Sequence, residues 1–459
     1  MNRTTLAAAI AAVLASGSAM AQPSIGQIAA VSTGPGGNTI NIAGSSAIKT
    51  ALINNIYNNF CQGGSAAATT VTSNGSNKNF EGISCFPQSG AASNTNLYNI
   101  WLRVEGGSVS GYLPIVNNIG IKQINGPALT ANPITINGAS TGNGVDDSFT
   151  VSAGGSLAAA KVDLGIGDVE PAALINNNYP TAYSTAVWGA QNPNGMFHQA
   201  ATQLVDEVYA IFVNENSSAF TENPLVLSQQ TVANILARKI KNWSQVYDTS
   251  GNAVATSLGI TVVNREAGSG SRAATDILVA GDGCGSAAKA IAISDAASAT
   301  DYFSTGDVLT AANSVPGAIS YATIDNQYFA TLPETGAGST SFPHLTMVSL
   351  NGVVPSNLAA ASGTYPFWVE ASYVDNSGVT GADDTAIKTI IAGLQQATST
   401  SSLADINAIP GISTNTTVHA DVADSGIIPT GGAVTIYINP YTRGGTTCST
   451  PLSLANTFP

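Results

Sequence analysis

The chain has 459 residues and carries 14 Lys and Arg against 27 Asp and Glu, a formal charge of −13. Charged residues make up 9% of it, where soluble domains average about a quarter. So few basic side chains exclude a protein that binds nucleic acid by neutralising phosphates, and an apolar content of 44% excludes a disordered polyelectrolyte.

The N-terminus begins with the short basic start Met1-Asn2-Arg3. An Ala-rich apolar stretch runs from Thr5 to Leu14, and Ala19-Met20-Ala21 fits the small-x-small cleavage rule. A signal peptide is therefore expected over residues 1–21, with Gln22 opening the exported chain. No later segment has the unbroken apolar length of a spanning helix. A protein that does not span a membrane is expected, in the periplasm or outside the cell.

Thr39 to Ile42 alternates as a strand and runs into Ala43-Gly44-Ser45-Ser46. Ile48, Leu52, Ile56 and Phe60 then recur every fourth residue, one face of a helix, for which Ser45 or Ser46 is the expected N-cap. Residues 62–96, rich in Gly, Ala, Ser and Asn, are expected to be an irregular insertion. A strand from Ile100 to Val104 leads into Gly107-Ser108-Val109-Ser110-Gly111. Residues 117–160 are expected to be a second insertion of small strands and turns. Lys161 to Asp168 is strand-like and ends in Gly165-Ile166-Gly167-Asp168.

Val208 to Val213 is an uninterrupted apolar run, expected to be a buried strand. Ser228 caps a helix to Lys239 with Val232, Ile235 and Leu236 inward. Ile260 to Asn264 is a strand, Arg265 to Ser271 a turn, and Arg272 to Val279 a helix. Pro316-Gly317 turns into another strand through Tyr321, and Ala386 to Gln395 is a helix. Strands alternating with helices imply βαβ units, whose chemistry lies at the carboxyl ends of the strands.

Four cysteines, Cys61, Cys85, Cys284 and Cys448, allow three connectivities in an oxidising compartment. Cys61–Cys85 is favoured because it pins the Gly- and Ser-rich excursion between them, and Cys284–Cys448 follows by elimination. The histidines, His198, His344 and His419, stand apart from one another and from any metal-ligand spacing. No metal or other cofactor is expected. Trp243, Trp368 and Tyr321 read as packing residues.

Three strand-end turns carry the candidate chemistry: Gly44-Ser45-Ser46, Gly107 to Ser110, and Arg265-Glu266-Ala267-Gly268-Ser269-Gly270-Ser271. Free N–H groups at helix starts, with hydroxyls beside them, make an anion site. Arg265 adds a planar fork for two oxygens. Asp168 adds an acceptor, which suits an anion that still carries a proton and repels one that is fully ionised.

These segments, in this order, resemble the phosphate-binding, type II periplasmic substrate-binding proteins of ABC transporters. Thr39-Ile-Asn-Ile-Ala-Gly-Ser-Ser46 is similar to the family's first strand and hydroxyl loop, and Gly107 to Gly111 to its second Ser/Gly loop. Gly165 to Asp168 resembles its Gly-x-x-Asp segment, and Leu236 to Trp243 its Gly-Lys-Ile-x-x-Trp stretch. Val263 to Ser271 is similar to its Arg-x-x-Gly-Ser-Gly-Thr/Ser anion loop. Pro316 to Tyr321, Val348 to Pro355 and Ser362 to Pro366 follow the later segments.

The resemblance implies an α/β, two-lobed fold with mixed, mainly parallel sheets and a cleft between lobes. It implies ligand contacts from Ser45, Ser46, Ser108, Asp168, Arg265, Ser269, Gly270 and Ser271. Lobe 1 is expected over 22–200 and 370–459, with insertions near 62–96 and 117–160, and lobe 2 over 201–369. Inorganic phosphate or a related tetrahedral oxyanion is the implied ligand, an ABC permease the implied partner, and a monomer the implied state. Ala267 departs from the pattern, because many phosphate-specific members have Asp there.

The alternative function is a secreted structural or surface protein that keeps the fold without transport, suggested by the insertions and the uncharged Asn-, Thr- and Ser-rich surface. An enzyme is not expected. The chain has no G-x-S-x-G elbow, no H-E-x-x-H and no G-x-x-x-x-G-K-[ST], and its scattered histidines offer no base for a nucleophilic serine.

Overall fold

The computed structural model describes residues 21–31, 37–73, 79–104, 106–133, 157–175, 178–179, 193–222, 224–248, 250–281, 302, 304–324, 342–356, 359–360, 362–395 and 441–453. The expected signal peptide, apart from Ala21, and the centre of the 117–160 insertion lie outside these residues, as do Cys284 and His419.

The strands in chain order are β1 (Thr39–Gly44), β2 (Thr69–Thr72), β3 (Phe80–Cys85), β4 (Tyr98–Arg103), β5 (Gly120–Ile124), β6 (Leu157–Lys161), β7 (Leu164–Gly167) and β8 (Thr202–Asn214). They continue with β9 (Val226–Leu227), β10 (Thr261–Val262), β11 (Ala318–Thr323), β12 (Leu345–Met347), β13 (Ser349–Leu350) and β14 (Trp368–Asp375). One mixed sheet has the order β10-β11-β8-β14-β7-β1-β4-β3-β2, with β12 also on β8. β1 lies parallel between β4 and β7, and β10 is parallel to β11. β8 and β14 enter antiparallel to their neighbours.

β8 is the long element of the sheet. Its first half pairs β14, and its second half pairs β11 and β12. The strand period of two sorts its apolar run between two cores. Tyr209, Ile211 and Val213 enter one, with Val232, Ile235 and Trp243, while Ala210 and Phe212 enter another, with Val308, Leu309 and Ala312. The same alternation operates in β1. Ile40 and Ile42 face a core shared with Leu52, Ile56 and Ile390, and Ala43 faces Val109 and Tyr112. Helices thus cover both faces of the sheet, the α/β layering expected from the alternation of elements.

The helices that matter to the site are α1 (Lys49–Asn55), α2 (Gly107–Asn117), α3 (Gln229–Leu236), α4 (Gly270–Thr275), α5 (Thr305–Ser314) and α6 (Ala382–Gln395). α1 and α4 each run on into a π-helical turn, Ile56–Phe60 and Asp276–Ala280. Ser228 caps α3 by accepting from Thr231 N–H, as the sequence predicts.

Two local expectations are corrected. The helix after β1 starts at Lys49, with Ile48 in the cap position and no side-chain bond there. Ser45 does not cap it, because its Oγ accepts from the Ala47 N–H within the preceding turn. Residues 62–96 are not an irregular insertion either. β2 and β3 pair antiparallel within them, and β3 pairs β4, so the segment extends the edge of the main sheet. Its abundance of Gly, Ser and Asn masked the alternation that builds these strands.

The insertion at 117–160 contains the paired strands β5 and β6. Cys61 and Cys85 form a disulfide with a Cα–Cα separation of 5.5 Å, joining the end of the first π turn to the end of β3. Cys448 is also disulfide-bonded.

Candidate functional site

Strand ends create the site. β1 turns at Gly44 into Ser45, β7 ends at Gly167 and hands over to Asp168, β4 leads to the start of α2 at Gly107, and β10 leads to Arg265. The turn after β1 requires glycine. Gly44 has φ +134°, and a Cβ there would fall on the Ile166 carbonyl oxygen.

Asp168 is the hub, and it is buried. Its Oδ1 accepts from Ser45 Oγ, and its Oδ2 accepts from Ser271 Oγ at 3.1 Å. Its backbone N–H donates to Ser108 Oγ at 3.0 Å. Burial pushes the Asp168 carboxyl up to about 6, against the opposing pull of Arg265 and the hydroxyls of Ser271 and Tyr209.

Arg265 is equally buried. Its Nη1 donates to Ser271 Oγ at 3.4 Å and to Thr305 Oγ1 at 3.2 Å, and its Nε donates to the Tyr302 carbonyl at 3.3 Å. Its backbone N–H donates to Tyr321 Oη at 3.2 Å. Thr305 also meets Ser46, whose Oγ lies 3.3 Å from Thr305 Oγ1 and accepts from the Thr305 N–H at 3.3 Å.

Ser269 caps α4 by accepting from Arg272 N–H at 3.4 Å. The loop it stands on is fixed to α2, because Val109 N–H donates to the Gly268 carbonyl at 3.0 Å. Gly270 is pressed against the hub. A Cβ on it would collide with Ser108 Oγ and sit 2.7 Å from Asp168 Cβ.

All eight predicted site residues therefore converge on one place. The starts of α2, α4 and α5 converge there too, each bringing the positive end of a helix. The arrangement supplies five serine hydroxyls and one threonine hydroxyl, one guanidinium and one carboxylate in a largely buried setting, a donor-rich group of the kind that can hold a small anion. Among the described residues no group of three His, Cys, Asp or Glu side chains gathers as metal ligands.

A family model described as a PBP superfamily domain matches residues 138–392. The chain belongs to the PBP superfamily. No curated protein matches it by sequence. Among solved structures it is similar to a protein from Clostridium perfringens with bound phosphate, at 13% identity over 80% of this chain and 97% of that one, with a TM-score of 0.41. It is also similar to a phosphate-binding protein from Stenotrophomonas maltophilia, at 15% identity over 77% and 89%, with a TM-score of 0.37.

Several residues of this superfamily member's site were not legible beforehand. Thr305 reaches Arg265 from the start of α5, where Ser304 accepts from Asp307 N–H. The spacing Ser304-x-x-Asp307 is a helix-start signature that could have marked it. Tyr209 lies 3.4 Å from Ser271 Oγ and donates to Glu207 Oε2 at 3.0 Å. It was hidden inside the apolar run of β8. Tyr321, read as a packing residue, is buried and also accepts from the Arg265 backbone.

Proposed function

We propose that this chain is an exported solute-binding protein that captures phosphate, or a related tetrahedral oxyanion, at the Arg265–Asp168 site. The observation that carries this reading is Ser271, whose hydroxyl lies between Arg265 Nη1 and Asp168 Oδ2. An incoming oxyanion exchanges these internal contacts for its own. Arg265, the hydroxyls of Ser45, Ser46, Ser108, Ser269 and Ser271, and the N–H groups at the starts of α2 and α4 replace its hydration. Gly270 contributes its backbone where a side chain has no room.

Asp168 takes the other half of the recognition. An ionised carboxylate only accepts, so it fits an anion that retains a proton and opposes a fully ionised one. With Ala267 in the anion loop, this reading makes Asp168 the acceptor that distinguishes hydrogen phosphate from sulfate.

Closure takes place about β8 and β14, the strands at which the boundaries of lobe 1 (22–200 and 370–459) and lobe 2 (201–369) fall. The same reading includes export directed by residues 1–21, a periplasmic or extracellular location, a monomeric state and delivery to an ABC permease. It involves no turnover.

The test is anion-dependent thermal stabilisation of the purified protein with phosphate, arsenate, molybdate and sulfate. A ligand that binds only the folded chain raises stability as RT ln(1 + [L]/Kd). Phosphate or arsenate is expected to raise Tm more than sulfate at neutral pH. An unchanged Tm with all four anions contradicts the reading.

A further inference from the structure

The segment 441–453 packs against the start of β14 and the residues just after Asp168. Tyr441–Thr442 pairs antiparallel with Leu452–Ser453, closing the segment into a small hairpin. Its two buried polar residues, Arg443 and Thr447, point to different elements.

Arg443 holds β14 and the segment before it. Its Nε donates to the Trp368 carbonyl at 3.1 Å and its Nη2 to the Pro366 carbonyl at 2.8 Å. The guanidinium lies 4.8 Å above the Trp368 ring. The Glu370 carboxylate accepts from the Arg443 N–H at 2.9 Å, from the Gly445 N–H at 2.8 Å and from Gln203 Nε2 at 2.8 Å. Gln203 belongs to the start of β8, so these bonds gather both long strands at the centre of the sheet.

Thr447 holds the loop after β7. Its N–H donates to Glu170 Oε1 at 3.0 Å and its Oγ1 to Glu170 Oε2 at 2.7 Å. Glu170 follows Asp168 by two residues. Every one of these contacts is charge-assisted, buried or both, the class of hydrogen bond that holds geometry best.

We infer that residues 441–453 are a strap, and that Arg443 and Thr447 are positioning residues which fix the Asp168 loop relative to β8 and β14. The inference rests on the oxyanion-binding reading. Neither residue touches the anion cradle. Both set where its carboxylate stands when the strands move.

The experiment uses the full-length, disulfide-intact protein and inorganic phosphate. Thr447→Val keeps the size and backbone N–H of the residue but removes one bond to Glu170, and Thr447→Ser keeps that bond. Arg443→Gln removes the fork over Trp368. Kd and dissociation rate are measured by calorimetry and stopped flow, and amide exchange is followed over 165–170.

Thr447→Val and Arg443→Gln are expected to weaken phosphate by at least about fivefold, mostly through faster dissociation. Faster amide exchange around Asp168 is expected in both. Thr447→Ser is expected to match the parent. Variants that melt lower but bind phosphate within about twofold of the parent overturn the inference and leave a structural role alone. If Arg443→Gln does not fold, the Thr447 pair decides. A parent protein that binds no phosphate removes the binding reading itself, and the inference with it.

Discussion

Asp168 and Ser271 are 103 residues apart in the chain, and their side chains meet at 3.1 Å in the interior. Ser271 also accepts from Arg265, so one hydroxyl joins the site's carboxylate to its guanidinium. Charges buried this way are held only by such local bonds, and the effect of altering each one can be predicted separately.

Replacing Asp168 with Asn changes an acceptor-only group into one that also donates. Asp168→Asn is expected to lower the preference for phosphate over sulfate by at least about tenfold, with sulfate itself gaining. Parallel calorimetric titrations with the two anions check this. An unchanged ratio would mean that Asp168 does not read the anion's proton.

The ligand-free protein is expected to be more stable in mild acid than at neutrality. Burial pushes Asp168 and Asp163 up to about 6 and Glu215 to about 7, from ordinary values of 3.8 and 4.5. The folded chain then holds more protons than the unfolded one between those limits. The stability these groups contribute is whole below about pH 4 and is lost as pH rises through about 6 to 7. Melting curves from about pH 4.5 to 7.5 are expected to show Tm falling with rising pH. Asp163→Asn, outside the Asp168–Arg265 cluster, is expected to flatten part of that slope.

Gly270→Ala places a methyl group against Ser108 Oγ and Asp168 Cβ. It is expected to cost about 1–3 kcal/mol of stability, as overpacking does, and to abolish tight anion binding. Gly259→Ala, whose Cβ meets nothing within 4 Å, is the control and is expected to change neither. Urea denaturation and phosphate titration of both variants make the comparison.

Much of this site was legible because its parts are short, local signatures. A strand running into Gly44-Ser45-Ser46, or Arg265 followed by Gly268-Ser269-Gly270-Ser271, is a strand-end turn of hydroxyls and glycines recognisable within a few residues. The partners that position those loops were not legible in the same way. Tyr209 sits in a strand buried on both faces, where its hydroxyl leaves no mark on the hydrophobic pattern. Arg443 and Thr447 act on Glu370 and Glu170 from 73 and 277 residues away along the chain, a relationship that composition cannot carry. The edge hairpin of β2 and β3 escaped for a different reason. Thr69 to Thr72 and Phe80 to Cys85 are ordinary strands in a segment whose glycines and serines read as loop.

The Cys61–Cys85 disulfide closes a separation of 24 residues at that edge. Replacing both cysteines with serine is expected to cost about 3 kcal/mol of stability, the chain-entropy value for a loop of this size. Phosphate affinity is expected to stay the same, because the bridge joins the far end of β3 to the first π turn and touches no site loop. Equilibrium denaturation and one titration of the double variant test both halves.

The proposed function stands or falls on whether Arg265, buried among hydroxyls and beside Asp168, holds a tetrahedral oxyanion. Calorimetric titration of the purified protein and of Arg265→Ala with phosphate tests it most directly. Saturable binding by the parent is expected, with a loss of at least about thirtyfold in the variant, the counterpart of about 2 kcal/mol for a buried charged partner removed. Heat from no oxyanion in the parent, or equal affinity in the variant, would contradict it.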